Sequence, residues 1–194
     1  MNRAELVNYL IAARGYRSYL EIGCAGNWTF DQVRAAEKTG VDPVAGGTER
    51  CTSDQFFARS GRRFDLVLID GDHHAAQVGT DLGNALGHLN EGGAIVLHDC
   101  LPETEKQQEI GPGGFWIGDG WRAVAALAAS GEADVRTGAF DCGCAVVFRR
   151  RRRRRPGSAG YHDGATWADY EAHHQEWLGV MDWGALKEWI DRHE

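Results

Sequence analysis

A doubly wound α/β domain with a mostly parallel sheet is the fold this sequence predicts, and three observations predict it. Two apolar runs, Phe64-Asp-Leu-Val-Leu-Ile69 and Gly92-Gly-Ala-Ile-Val-Leu97, have the length and composition of strands buried on both faces. Helix-period segments alternate with the strand-like runs, the order that gives parallel strands joined by right-handed crossovers. Both runs break off into acid and histidine, Asp70-Gly-Asp-His-His74 and His98-Asp-Cys100, as expected where a site forms beyond the carboxyl ends of strands.

The elements follow in order. Leu6, Val7, Leu10 and Ile11 make a helical stripe over about 2–14, closed by Gly15. Tyr19-Leu-Glu-Ile22 reads as a first strand running into the turn Gly23-Cys-Ala-Gly26. A helix is expected over about Thr29 to Lys38, then a strand stub at Val41-Asp-Pro43. The segment 46–54 is turn-rich with one short strand, and Ser53 or Asp54 is placed to cap a helix through Phe56 and Phe57. Val78, Leu82, Ala85, Leu86 and Leu89 mark the helix between the two apolar runs, ending at Asn90-Glu-Gly-Gly93. Residues 100–119 hold two prolines and four glycines without a period, which predicts a loop that is either disordered or a functional lid. Asp119 is placed to cap a helix from Trp121, and Ala133 to Thr137 and Cys144 to Phe148 read as antiparallel strands that give the sheet a reversed edge. The chain therefore divides into a domain over 1–148, an arginine-rich run and linker over 149–160, and a Trp-rich helical tail over 161–194. The tail's aromatic stripe predicts a face docked on its own domain or on a twin subunit.

Composition narrows the function classes. Seven consecutive arginines, Arg149 to Arg155, leave 14 basic against 28 acidic residues elsewhere, so the body is acidic and unlike a duplex-binding surface. The run reads as a solvated connector, with nucleic acid as an alternative only there. No apolar stretch approaches the roughly 18 residues of a membrane span, and the start lacks a secretory h-region, which predicts a cytoplasmic protein. The five cysteines are odd in number and scattered, which argues against a disulfide framework. Cys142 and Cys144 would share one face of a strand and are expected to pack.

The first turn offers Glu21 at a strand end and two glycines that let backbone approach a ligand. Asp42, at the end of the next strand, is placed to accept the hydroxyls of a ribose. Trp28-Thr29 stands where a dinucleotide fingerprint has its third glycine, so a nucleoside without a pyrophosphate fits better. That combination points to S-adenosylmethionine.

The ordered set Tyr19-Leu-Glu-Ile-Gly-Cys-Ala-Gly26, Gly40-Val-Asp-Pro43, Thr52-Ser-Asp-Gln-Phe-Phe57, Phe64-Asp-Leu-Val-Leu-Ile-Asp-Gly71 and Gly92-Gly-Ala-Ile-Val-Leu-His-Asp99 resembles the class I S-adenosylmethionine-dependent methyltransferases. More narrowly it is similar to the bacterial group called methyltransferase domain 24. The resemblance implies that Glu21, Gly23 and Gly26 hold the methionine part and Asp42 the ribose, that Ser53 and Asp54 flank the adenine, and that Asp70 borders the cofactor. It also implies His73 as general base and Asp70, His98 and Asp99 as ligands for a divalent metal, Mg²⁺ or Mn²⁺, the alternative being that His98 and Asp99 only position cofactor and substrate without a metal. Asp72 departs from the apolar residue found there in many relatives.

An oxygen nucleophile must shed a proton on methylation, and the near-neutral pKa of His73 suits that task. The resulting expectation is O-methylation of a small-molecule or glycan-like hydroxyl, under a lid formed by residues 100–119. The rival readings are an inactive binding module of the same fold and a nicotinamide-dependent oxidoreductase.

Overall fold

A computed structural model describes residues 1–109, 115–150 and 160–193. Residues 110–114 of the expected lid, Arg151 to Arg155 and most of the linker lie outside the described residues. Thirteen helices and strands are described, apart from short 3₁₀ turns: α1 (Arg3–Arg14), β1 (Ser18–Ile22), β2 (Glu37–Val41), α2 (Ser53–Arg59), β3 (Phe64–Ile69), α3 (Ala75–Gly87), β4 (Leu89–Leu97), α4 (Trp121–Ser130), β5 (Ala133–Gly138), β6 (Cys144–Arg149), α5 (Trp167–Trp177), β7 (Val180–Met181) and α6 (Trp183–Arg192). The strands form one sheet in the order β2-β1-β3-β4-β6-β5-β7. β2, β1, β3 and β4 pair in parallel, whereas β6 runs antiparallel to both β4 and β5. The reversed strand of the mostly parallel sheet is thus β6, with β5 and the two-residue β7 beyond it.

Side-chain alternation explains why the strands read as continuous apolar runs. On β3, Val67 and Ile69 face α2, α3, α4 and α5, while Leu66 and Leu68 face α1 and α6. On β4, Ile95 and Leu97 join the first layer and Ala94 and Val96 the second. Both faces are covered over Leu66–Ile69 and Ala94–Leu97, so the polar residues Asp65, Asn90 and Glu91 are confined to the starts of the two strands. The tail completes both layers. Tyr170 and Trp177 of α5 pack against Trp121, and Leu186 and Ile190 of α6 join Leu6, Val7 and Leu10 of α1. Among the described residues no helix is long and apolar enough to cross a membrane.

Four local expectations need correction. Residues 30–32 make a 3₁₀ turn rather than a helix to Lys38, and β2 begins at Glu37. Asn8 is the cause: its side-chain amide donates to Gln32 O at 2.9 Å and accepts from Arg34 N at 2.8 Å, taking backbone groups that a helix would use. The cap of α2 is Thr52, which accepts from Gln55 N in a reciprocal capping box. Gly120, not Asp119, precedes α4; Asp119 instead accepts from Ala75 N at 2.7 Å and so caps α3 from a distant loop. β4 starts at Leu89, which absorbs the expected turn at 90–93 as a register shift against β3. In addition, Cys142 sits in a turn at φ 59° while Cys144 opens β6, so the two share no strand face.

Trp121 is fully buried between Trp177, at 6.3 Å, and Tyr170, at 4.6 Å between ring centroids. Trp121→Ala is expected to lose about 3–5 kcal/mol in urea unfolding followed by far-UV circular dichroism.

Candidate active site

The turn after β1 crosses the end of β3 closely. A Cβ at Gly23, at φ +85°, would lie 2.2 Å from Asp70 O, so only glycine allows this crossing. Beside it opens a cavity of about 790 Å³ between the ends of β1, β2 and β3 and the start of α2 and α3. Gly23, Gly26, Asp42, Ser53, Asp54, Asp70 and His73 all line it, the residues sequence reasoning assigned to cofactor and base, and Asp72 joins them.

Glu21 does not line the cavity. It is 1% exposed and accepts the Tyr19 hydroxyl, and burial pushes its carboxyl up to about 7. Asp42 borders the cavity, but its oxygens are occupied. Oδ2 accepts from Cys24 N and Ala25 N at 3.0 and 2.9 Å, and Oδ1 from Val44 N and Ala45 N at 2.7 and 2.8 Å. Burial alone would raise this carboxyl, and the four backbone donors lower it instead. A carboxylate has about four acceptor directions, so Asp42 here braces the turns after β1 and β2; accepting ribose hydroxyls would require exchanging some of those bonds. Asp72 accepts from His74 N at 2.9 Å and pairs with the His74 ring, which locates the turn leaving β3.

His73 is held on three sides. Its Nδ1 lies 2.9 Å from Asp99 Oδ2 and 3.1 Å from Ile117 O. Both partners are acceptors, so Nδ1 carries the hydrogen and the neutral ring keeps its lone pair on Nε2. Trp116 stacks on the ring at 5.3 Å. Burial pulls the pKa of His73 down, yet the hydrogen bond and charge of Asp99, with Asp70 behind, leave it raised above 6.5. The far end of the expected lid is part of this support. Asp119 N donates to His73 O at 3.1 Å, and a Cβ on Gly118, at φ +82°, would fall 2.2 Å from that same oxygen.

Behind His73 lies a cluster of acids and cations. His98 Nδ1 is 3.1 Å from both Asp70 Oδ1 and Asp99 Oδ1, and its Nε2 is 3.5 Å from Asp141 Oδ2. Burial opposes a charged His98, but Asp141, Asp70 and Asp99 push its pKa up to about 11. Asp99 takes a left-handed backbone, φ 58°, to aim its two oxygens at the two histidines. Of the expected metal ligands Asp70, His98 and Asp99, His98 bridges the two acids; around these acids the ligand atoms lying within 4.8 Å of one another are instead those of Asp70, Asp99 and His73, the residue expected as the base. Sequence reasoning missed Arg3 and Asp141. Arg3 is the first residue of α1 and Asp141 lies in the β5–β6 turn, and neither carries a spacing signal toward the acid-histidine runs.

Residues 32–100 match the model of a methyltransferase domain family. The Bacillus cereus O-methyltransferase in complex with SAH superposes with TM-score 0.58 at 15% identity, over 76% of this chain and 80% of that one. The chain has the class I methyltransferase fold. The Streptomyces achromogenes O-methyltransferase TomG, in complex with SAM, gives TM-score 0.57 at 15% identity over 76% and 79% of the chains. The Streptoalloteichus sugar N-methyltransferase KedS8 gives 0.53 at 16% identity over 76% and 87%. A comparison with curated protein sequences finds no match. Oxygen and nitrogen methyltransferases both stand among these neighbours, so the fold does not choose between the two chemistries.

The buried Glu21 carboxyl yields a stability test. A carboxyl raised from 4.5 to about 7 destabilises the fold progressively as pH climbs through that window. Glu21→Gln keeps an acceptor for Tyr19 and is expected to be more stable than wild type at pH 8, by about 1–3 kcal/mol, with the gain gone at pH 4. Thermal melts at the two pH values check it.

Proposed function

We propose that this protein transfers the methyl group of S-adenosylmethionine to a hydroxyl of a small or glycan-like acceptor. The observation that carries the reading is His73 on the wall of the 790 Å³ cavity, paired from behind with Asp99. The cavity suits a nucleoside: Gly23 and Gly26 leave backbone exposed at one side, and Ser53 and Asp54 stand at the other. The sulfonium end would lie toward Asp70 and His73. Glu21, buried behind the wall, would act on the methionine part only through its surroundings.

His73 supplies the chemistry. Asp99 fixes the Nδ1–H tautomer, which leaves the lone pair on Nε2 to take the acceptor's proton; S-adenosylmethionine, when bound, would supply the methyl group to the acceptor oxygen and keep the sulfur as thioether. Asp99 also stabilises the imidazolium that results. A hydroxyl needs such a base, whereas a neutral amine already has its lone pair, and this favours oxygen over nitrogen. Trp116 and Ile117 O hold the ring, and Asp119 N holds the His73 backbone, in place, as in-line transfer demands.

Calorimetry with S-adenosylhomocysteine is expected to give micromolar affinity for wild type and for His73→Ala; binding weaker than millimolar in wild type contradicts the reading. With an acceptor drawn from a panel of sugars, catechols and amines, His73→Ala is expected to lose about 10²–10⁴-fold in turnover. Unchanged turnover removes His73 from the mechanism.

The pH dependence has a definite sign. As the base must be neutral, kcat/KM rises with pH through a pKa above 6.5. Asp99→Asn removes the main raising influence and is expected to move the His73 imidazole titration, followed by NMR, to lower pH; an unmoved titration contradicts the pairing.

A further inference from the structure

We infer that Arg3, seated on the far side of Asp70, supplies the positive charge a divalent metal would bring to this cluster, so that the site works without one and Arg3 keeps such ions out. The cluster has the donors for a metal, and the way each is already engaged carries the inference. Arg3 Nε lies 3.0 Å from Asp70 Oδ2, and Nη1 lies 3.3 Å from Asp141 Oδ2 and 3.4 Å from His98 Nε2. Asp70 Oδ1 and Asp99 Oδ1 share the His98 Nδ1 hydrogen, and Asp99 Oδ2 takes that of His73. Every carboxylate oxygen of Asp70 and Asp99 thus faces a nitrogen donor of the protein. An ion bound by Asp70, His73 and Asp99 would have to take Asp70 Oδ1 and the Asp99 oxygens from the two histidines, beside the guanidinium charge of Arg3 on Asp70 Oδ2.

Arg3 is not a loose surface residue that could step aside. It opens α1 directly after Asn2, whose side chain forms a capping box with Glu5. Its own backbone N–H donates to Asp141 Oδ2 at 2.8 Å, and its Nε donates to Thr29 Oγ1 at 3.0 Å. Backbone and side chain are therefore both anchored in the cluster. Guanidinium is a fixed cation with several directed donors, so it can hold Asp70 and Asp141 in separate orientations, which a freely exchanging ion would not. Arg3 is a positioning residue: it acts on the reaction through Asp70 and His98.

The test uses Mn²⁺ as the probe, read by the electron paramagnetic resonance signal of the free ion on the full chain. Wild type is expected to bind no Mn²⁺ below millimolar concentration. Arg3→Met, which keeps the length of the side chain and removes its charge, is expected to bind at least ten-fold tighter, and Asp70→Asn in that background to abolish the gain. Wild type binding Mn²⁺ stoichiometrically at micromolar concentration overturns the inference, as does an Arg3→Met variant with a native circular dichroism spectrum and no gain in affinity. If Arg3→Met fails to fold, Arg3→Gln takes its place, and the wild-type titration decides by itself whether a metal is bound. The inference stands apart from the cofactor reading: S-adenosylhomocysteine calorimetry on wild type can fail while the Mn²⁺ results hold, and the reverse.

Discussion

Three carboxylates meet at one end of the sheet, and the site depends on how their charge is balanced. Asp70 and Asp99 end adjacent parallel strands and Asp141 comes from the β5–β6 turn. Left unpaired at this burial, such charges would be strongly unfavourable. Arg3, His98 and His73 provide the balance, each from a different part of the chain. The arrangement does more than neutralise. It fixes which nitrogen of His73 carries the hydrogen, and so which nitrogen is free to act as a base.

The same end of the sheet shows how two loops become a wall. Asp42 gathers four backbone N–H groups from the turns after β1 and β2, and Gly23 lets the first of those turns lie directly over Asp70. On the opposite side Asp119 caps α3 and binds the His73 backbone. The cavity is therefore bounded by paired backbone on both sides, which is the preorganisation that in-line transfer requires.

Much of this was legible in the sequence. The apolar runs, the glycine turn and the acid-histidine strand ends placed the sheet and brought Gly23, Gly26, Asp42, Ser53, Asp54, Asp70 and His73 to one cavity, because strand period and turn chemistry are local properties. What was not legible is long-range. Phe30 and Val33 mimic a helical stripe, but Asn8 of α1 claims the backbone there. Arg3 and Asp141 bond across 138 residues with no pattern linking them. Asp119 looks like the cap of the helix it precedes and is spent on another. The Trp-rich tail was readable as a packing face, yet only the tertiary structure shows it divided between the two helical layers, through Trp177 on one side and Leu186 on the other.

The most direct test of the account is a crystal structure with S-adenosylhomocysteine bound. The account predicts the adenine toward Ser53 and Asp54, and the thioether sulfur toward Asp70 with an open path to His73 Nε2. S-adenosylhomocysteine bound outside this cavity, or with its adenine against His73, would contradict it.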